Sequence, residues 1–141
     1  MDTGTLSELL RAAQHLDFGT FWFYPNLVVG EVRGGMRVNA NHALHLMTIA
    51  AEYYPPETPV VYLSDRKYSY SIDPTLHLEI QEFFPNLIGY GAVVYNDLNA
   101  RVAQLEQRFL PCHTGIFRSM DAATDWARDL LLRNGSAGKK S

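Results

Sequence analysis

Two alternating periods of apolar and polar positions divide the chain into short segments. Residues 20–24 are short and aromatic, and residues 27–33 continue as a strand, with Pro25-Asn26 between them. That pattern predicts two antiparallel strands joined by a tight turn. Gly34-Gly35 marks a second turn, and residues 36–39 read as a third short strand. Asn39 is a good helix N-cap, after which Ala43, Leu46, Met47, Ala50 and Tyr53 or Tyr54 recur on one face. Pro55-Pro56 ends that helix, because neither proline donates a backbone hydrogen bond. Residues 59–64 form a continuous apolar run, the signature of a strand covered on both faces.

The period then alternates. A polar loop, residues 65–72, leads to Asp73-Pro74, a cap with proline at the first helical position. Leu76, Ile80, Phe83 and Phe84 give the next helix its buried stripe, and residues 87–95 a second buried strand in which Gly89 and Gly91 permit close packing. Asn96 or Asp97 caps a helix whose stripe is Leu98, Val102, Leu105 and Phe109, the clearest amphipathic pattern in the chain. Residues 115–118 read as a short strand. Ser119 caps a last helix with Ala122 or Ala123, Trp126, Ala127 and Leu130 inside, ended by Asn134-Gly135. Before all of this, Thr5-Leu6-Ser7-Glu8 has capping-box spacing, and Leu6, Leu9, Leu10, Ala13 and Leu16 predict a short added helix.

The order is strand, strand, short strand, helix, then strand and helix three times. It predicts an α/β fold: a mixed, mostly parallel sheet of four to five strands flanked by helices, with an antiparallel hairpin at its start and an extra N-terminal helix. Residues 1–17 are read as the helical extension, 18–133 as one domain and 134–141 as a flexible tail.

Composition narrows the function classes. A chain of 141 residues can bury a core without staples, and its single cysteine, Cys112, excludes an intrachain disulfide framework. The net charge of −3 argues against a nucleic-acid partner, which needs a basic face. The first residues lack the pattern of a signal peptide, and no apolar run is long enough for a membrane span. A cytoplasmic setting is the expectation.

The hairpin Phe21-Trp22-Phe23-Tyr24 with Val28-Val29-Gly30-Glu31-Val32 carries a family likeness. So do Val61-Tyr62-Leu63-Ser64-Asp65-Arg66, Tyr70-Ser71-Ile72-Asp73-Pro74, and Phe117-Arg118-Ser119 leading to Ala122-Ala123-Thr124-Asp125-Trp126. Over residues 18–132 the chain resembles the SpoIIAA-like family, the STAS domains typified by bacterial anti-sigma-factor antagonists, and in particular its small bacterial members. The resemblance implies a STAS-like fold and a role in protein interaction rather than catalysis. It also implies a phosphorylatable serine before the helix after the central strand, in an Asp-Ser-Ser-Gly-like stretch. That stretch is absent here, and the nearest hydroxyls, the candidate phosphoacceptors, are Ser71 and Thr75.

The loop leaving the 59–64 strand is the leading candidate site. Ligands of parallel α/β sheets collect beyond the carboxyl ends of the strands, and this loop feeds a helix N-terminus that favours anions. Arg66 and Lys67 would supply charge, and Ser64, Tyr68, Ser69, Tyr70 and Ser71 hydroxyls. Asp73 competes as the cap. His42 and His45 share a helical face, but with His77, His113 or Cys112 they lack any recognised zinc spacing. No metal or cofactor is therefore assigned. Cys112-His113 are adjacent, a poor arrangement for nucleophile and base, and Glu79 and Glu82 read as a solvated pair. No catalytic residue is assigned. Four consecutive aromatics, Phe21 to Tyr24, must point to both faces of a strand, so one set needs cover from the N-terminal helix or a second copy. The leading functional reading is a non-catalytic, STAS-like interaction module that binds a protein partner or itself. The alternative is a carrier of a small apolar, lipid-type ligand between helix and sheet.

Overall fold

The computed structural model describes residues 9–139. A six-stranded mixed sheet in the order β1-β2-β3-β5-β7-β8 forms its centre. The elements run β1 (Ala12–Leu16), β2 (Gly19–Tyr24), β3 (Leu27–Val32), β4 (Arg37–Val38), α1 (Ala40–Tyr53), β5 (Val60–Asp65), β6 (Ser71–Ile72), α2 (Leu76–Phe83), β7 (Leu87–Val93), α3 (Asp97–Gln107), β8 (His113–Phe117) and α4 (Met120–Lys139). β1, β2 and β3 pair antiparallel, whereas β3, β5, β7 and β8 are parallel.

The α/β architecture and the opening hairpin agree with the sequence pattern, with one strand more than the upper expectation. The extra strand is β1. Residues 12–16, read as the end of a helix, pair along β2 with Ala12 opposite Phe23 and Leu16 opposite Gly19. Alanine and leucine suit a helix, but the open edge of β2 offers a full ladder of backbone hydrogen bonds, and tertiary pairing overrides so weak a propensity. The predicted capping box, Thr5 to Glu8, lies outside the described residues. The short strand after Gly35 exists as β4, yet it pairs with β6 in a separate two-stranded sheet inside the segment read as a loop. The last helix continues to Lys139, past the Asn134-Gly135 stop.

Local chemistry explains the joints. Asn26 takes a positive φ of 63° between β2 and β3, a conformation asparagine tolerates. Asn39 caps α1 by accepting from the His42 amide, and His42 Nδ1 accepts in return from the Asn39 amide. The helix ends at Tyr54, whose hydroxyl donates to the Tyr24 carbonyl at 2.6 Å and ties α1 to the hairpin.

Three successive crossovers step the same way along the sheet, so crossovers of one hand carry α1, α2 and α3 to one face. Phe21, Phe23, Val28 and Tyr90 face α1 and α2, while Val29, Leu63 and Val93 face α4 through Ala123, Ala127 and Leu130. The hairpin aromatics are therefore covered on both faces: Phe21 and Phe23 by the first helical layer, Tyr24 and Trp22 on the α4 side. Gly91 makes the α4 approach close. A Cβ there would stand 2.8 Å from Leu63 Cδ2 and 3.0 Å from the Trp126 ring.

Two predicted helix faces are corrected. Phe83 is 70 % exposed, and His77 takes its place inside. In α3, Leu98 (65 % exposed), Val102 and Leu105 face outward, whereas Asn99, Ala103 and Glu106 face the sheet. Ala100 and Ala103 pack on Ala92 and Val94. The stripe had the right period and the wrong rotation, because small side chains let α3 sit close and the groups it must reach are polar.

Candidate functional site

The carboxyl end of β5 turns Arg66 inward rather than into the loop. Its guanidinium is only 3 % exposed and makes a two-pronged pair with Glu106 of α3, Nη1 at 2.5 Å from Oε2 and Nη2 at 2.9 Å from Oε1. Arg66 Nε donates to Ser64 Oγ at 3.0 Å, and the guanidinium lies 5.0 Å from the centre of the Tyr70 ring. Glu106, 2 % exposed, also accepts from His77 Nε2 at 2.9 Å. Burial opposes the Glu106 charge, but hydrogen bonds from His77 and Arg66 outweigh it and hold the carboxyl below its ordinary range. Burial likewise opposes the Arg66 charge, and Tyr70, Tyr90 and Glu106 overcome it to raise that group.

Arg66, His77 and Glu106 come from the end of β5, from α2 and from α3, as much as 40 residues apart in sequence. Asn99 completes the join. Its backbone amide donates to the side chain of the α3 cap Asn96 at 2.8 Å, its side chain accepts from Ser69 Oγ at 3.2 Å, and its side-chain amide donates to the Arg66 carbonyl at 3.4 Å. The inward polar face of α3 thereby anchors the loop after β5.

The loop residues expected to act together are divided. Ser64 and Arg66 are buried in the network, and Tyr70 joins it by a 3.1 Å contact with Ser64. Lys67, Tyr68 and Ser69 are exposed, and Lys67 lies 3.6 Å from Glu31 and 3.8 Å from Asp65. With Arg66 committed to Glu106 and Lys67 beside two carboxylates, the loop has no free cation pair for an anion. Ser71 and Thr75 are exposed on an open cleft between the starts of α1 and α2, where Thr75 Oγ1 already donates to Asp73 at 2.8 Å.

A cavity of about 100 Å³ lies beside the network, between the sheet and helices α1 and α2. Phe18, Phe21 and Val28 line its sheet side, and Leu46, Met47 and Ile80 its helical side. Tyr62, Tyr70, Tyr90 and His77 complete a lining that is almost wholly apolar. Burial raises all three phenols, which stay neutral hydroxyls. Tyr62 lies across Gly30, where a Cβ would collide with its hydroxyl oxygen. His77 Nδ1 is buried with no hydrogen-bond partner, and among the described residues the one other such atom is Gln81 Oε1, away from the cavity.

Sequence reasoning placed His77 among unlikely zinc ligands and passed over Tyr62, Tyr90 and Glu106 as site residues. The signal for the tyrosines was present: each sits in a strand expected to be covered on both faces, and a buried phenol needs a partner. Glu106 carried no such signal. The other candidates stay apart. Among the described residues no group of three or more His, Cys, Asp or Glu converges as a metal site. His42 belongs to the α1 cap and packs on Phe18. Burial pushes the Cys112 thiol up to about 11, the reverse of an activated nucleophile. Among the described residues no helix is long and apolar enough to cross a membrane. No protein-family profile, curated protein or solved structure matches the chain.

Proposed function

We propose that this protein is a non-catalytic, STAS-like binding module that encloses a small apolar molecule between its sheet and helices α1 and α2. The cavity of about 100 Å³ carries this reading. An apolar protein cavity of about 150 Å³, half as large again, stays dry and accepts benzene. Its wall is built from side chains of both layers, so an occupant would regain the dispersion contacts that an empty cavity forfeits. Catalysis is disfavoured because two deeply buried charged groups beside the cavity, Arg66 and Glu106, are spent on one another. Titration with toluene tests the reading. Saturable NMR shifts are expected at the Val28, Leu46 and Ile80 methyl groups, and Ala50→Leu, which fills the cavity wall, is expected to abolish them. Toluene that leaves those methyls unmoved would overturn it.

A second reading, docking of a protein partner or a second copy, is supported by the exposed row of Leu98, Val102 and Leu105 on α3. An unpartnered apolar stripe on an otherwise polar helix is a common mark of an interface. The family resemblance points the same way, toward a cytoplasmic interaction domain.

A further inference from the structure

We infer that β1 is a self-pairing edge, where a second copy of this chain adds its own β1 antiparallel, about a two-fold axis at Gln14, and continues the sheet. The cavity plays no part in this contact. β1 ends the main sheet, and among the described residues no strand pairs with its outer side. Native edges are blunted by charges, prolines or bulges, because an open ladder is a template for another strand. Residues 12–16, Ala-Ala-Gln-His-Leu, contain no proline and no Lys, Arg, Asp or Glu, and their register with β2 is unbroken. At the opposite edge, by contrast, Gln107 of α3 covers part of β8 by donating to the Gly115 carbonyl at 2.8 Å.

Pairing with β2 sets which backbone groups face outward. The Phe23 carbonyl accepts from the Arg11 amide at 2.8 Å, so Phe23 turns its backbone groups toward β1. Phe21 and Gly19 follow by alternation, and with them their partners Ala12, Gln14 and Leu16 face β2. Ala13 and His15 therefore aim N–H and C=O away from β2. In an antiparallel pair centred on Gln14, Ala13 meets His15 of the second copy, twice over, and each such pair can exchange two backbone hydrogen bonds. Arg11 and Asp17, exposed just beyond the two ends of the strand, then stand opposite each other at both ends of the contact. On the other face Leu16, which packs on the core beneath α1, meets Ala12 of the second copy. Sliding the copies to the next register sets Arg11 against His15, or His15 against His15, and loses both ion pairs. The opposite charges at equal distances from Gln14 favour a second copy over an unrelated strand.

One short edge buries little surface, so the dimer is expected to be weak, and light scattering would be run up to about 1 mM protein. The mass should rise toward that of a dimer. Amide exchange at Ala13 and His15, fast in the dilute chain, should slow with it. Asp17→Arg sets like charges against each other and is expected to raise the dimer Kd about tenfold. Adding Arg11→Asp to it restores both pairs in reverse and should return the wild-type Kd. Cross-linking reads the register. Gln14→Cys sits on the axis, within disulfide reach of its copy, and should link under mild oxidation. Ala13→Cys, more exposed but offset from its copy along the strand, should not, and the wild-type chain with Cys112 alone gives the background. A monomer at the highest concentration would overturn the inference. So would a Kd indifferent to Asp17→Arg, or Ala13→Cys linking as fast as Gln14→Cys. A dimer that Leu105→Glu dissolves and Asp17→Arg leaves intact would move the contact to α3 and overturn it too.

Discussion

Glu106 is a carboxylate 2 % exposed on a helix whose composition gives no reason to bury it. What holds it there is the pairing with Arg66 and His77, since removing one partner of a buried ion pair leaves an uncompensated charge. Glu106→Gln is expected to lower stability by about 3–5 kcal/mol near neutral pH, read from urea midpoints. The pH dependence has a definite sign. The folded carboxyl lies below its ordinary value of 4.5, so the folded state binds that proton more weakly than the unfolded state does. Its contribution is full above about pH 4.5 and lost as pH falls through the lower folded value. The gap between wild type and Glu106→Gln should therefore narrow on acidification below that point. A constant gap down to pH 3 would contradict the assignment. Nothing in the spacing of residues 66, 77 and 106 announces this cluster, because its members lie on different elements.

Helix α3 shows how far periodicity reaches. Leu98, Val102 and Leu105 share the same spacing as Asn99, Ala103 and Glu106, one residue out of phase. The period predicts the helix, and Asn96 as its cap agrees, but the rotation is set by what β7, β8 and the loop after β5 offer it. Those partners are Ala92, Val94, Ile116 and the Arg66 carbonyl, which reward small and polar side chains. Two substitutions distinguish the faces. Leu105→Glu should leave thermal stability within about 0.5 kcal/mol, as an exposed change does. Ala103→Leu should cost about 1–3 kcal/mol by overpacking a residue 1 % exposed. If the outward stripe docks a second copy, light scattering would show Leu105→Glu shifting the population toward monomer. An unchanged mass would remove self-association through this face. In α2 the same logic exchanges Phe83 for His77, since the polar ring reaches Glu106 while the large apolar one is left exposed.

Across the whole molecule, stability should follow position in the sheet. β5 and β7 are covered on both faces, while β1 lies at an edge with an intermediate and exposed alternation. Hydrogen exchange is expected to be slowest at the amides of β5 and β7 and fastest, among the strands of the main sheet, at β1. Protection of β1 equal to that of β5 would mean that its outer edge is covered. The chain's order of strands and helices was sufficient for the α/β class, the hairpin at Asn26, the cap at Asn39 and the helical face of Ala123, Ala127 and Leu130. These are local or periodic properties, written in residues a few positions apart. Packing settled the rest: the strand identity of residues 12–16, the rotation of α3, the inward turn of Arg66 and the cavity beside His77. Each depends on partners tens of residues away, where a free sheet edge or a buried charge outweighs the modest preferences of the local sequence.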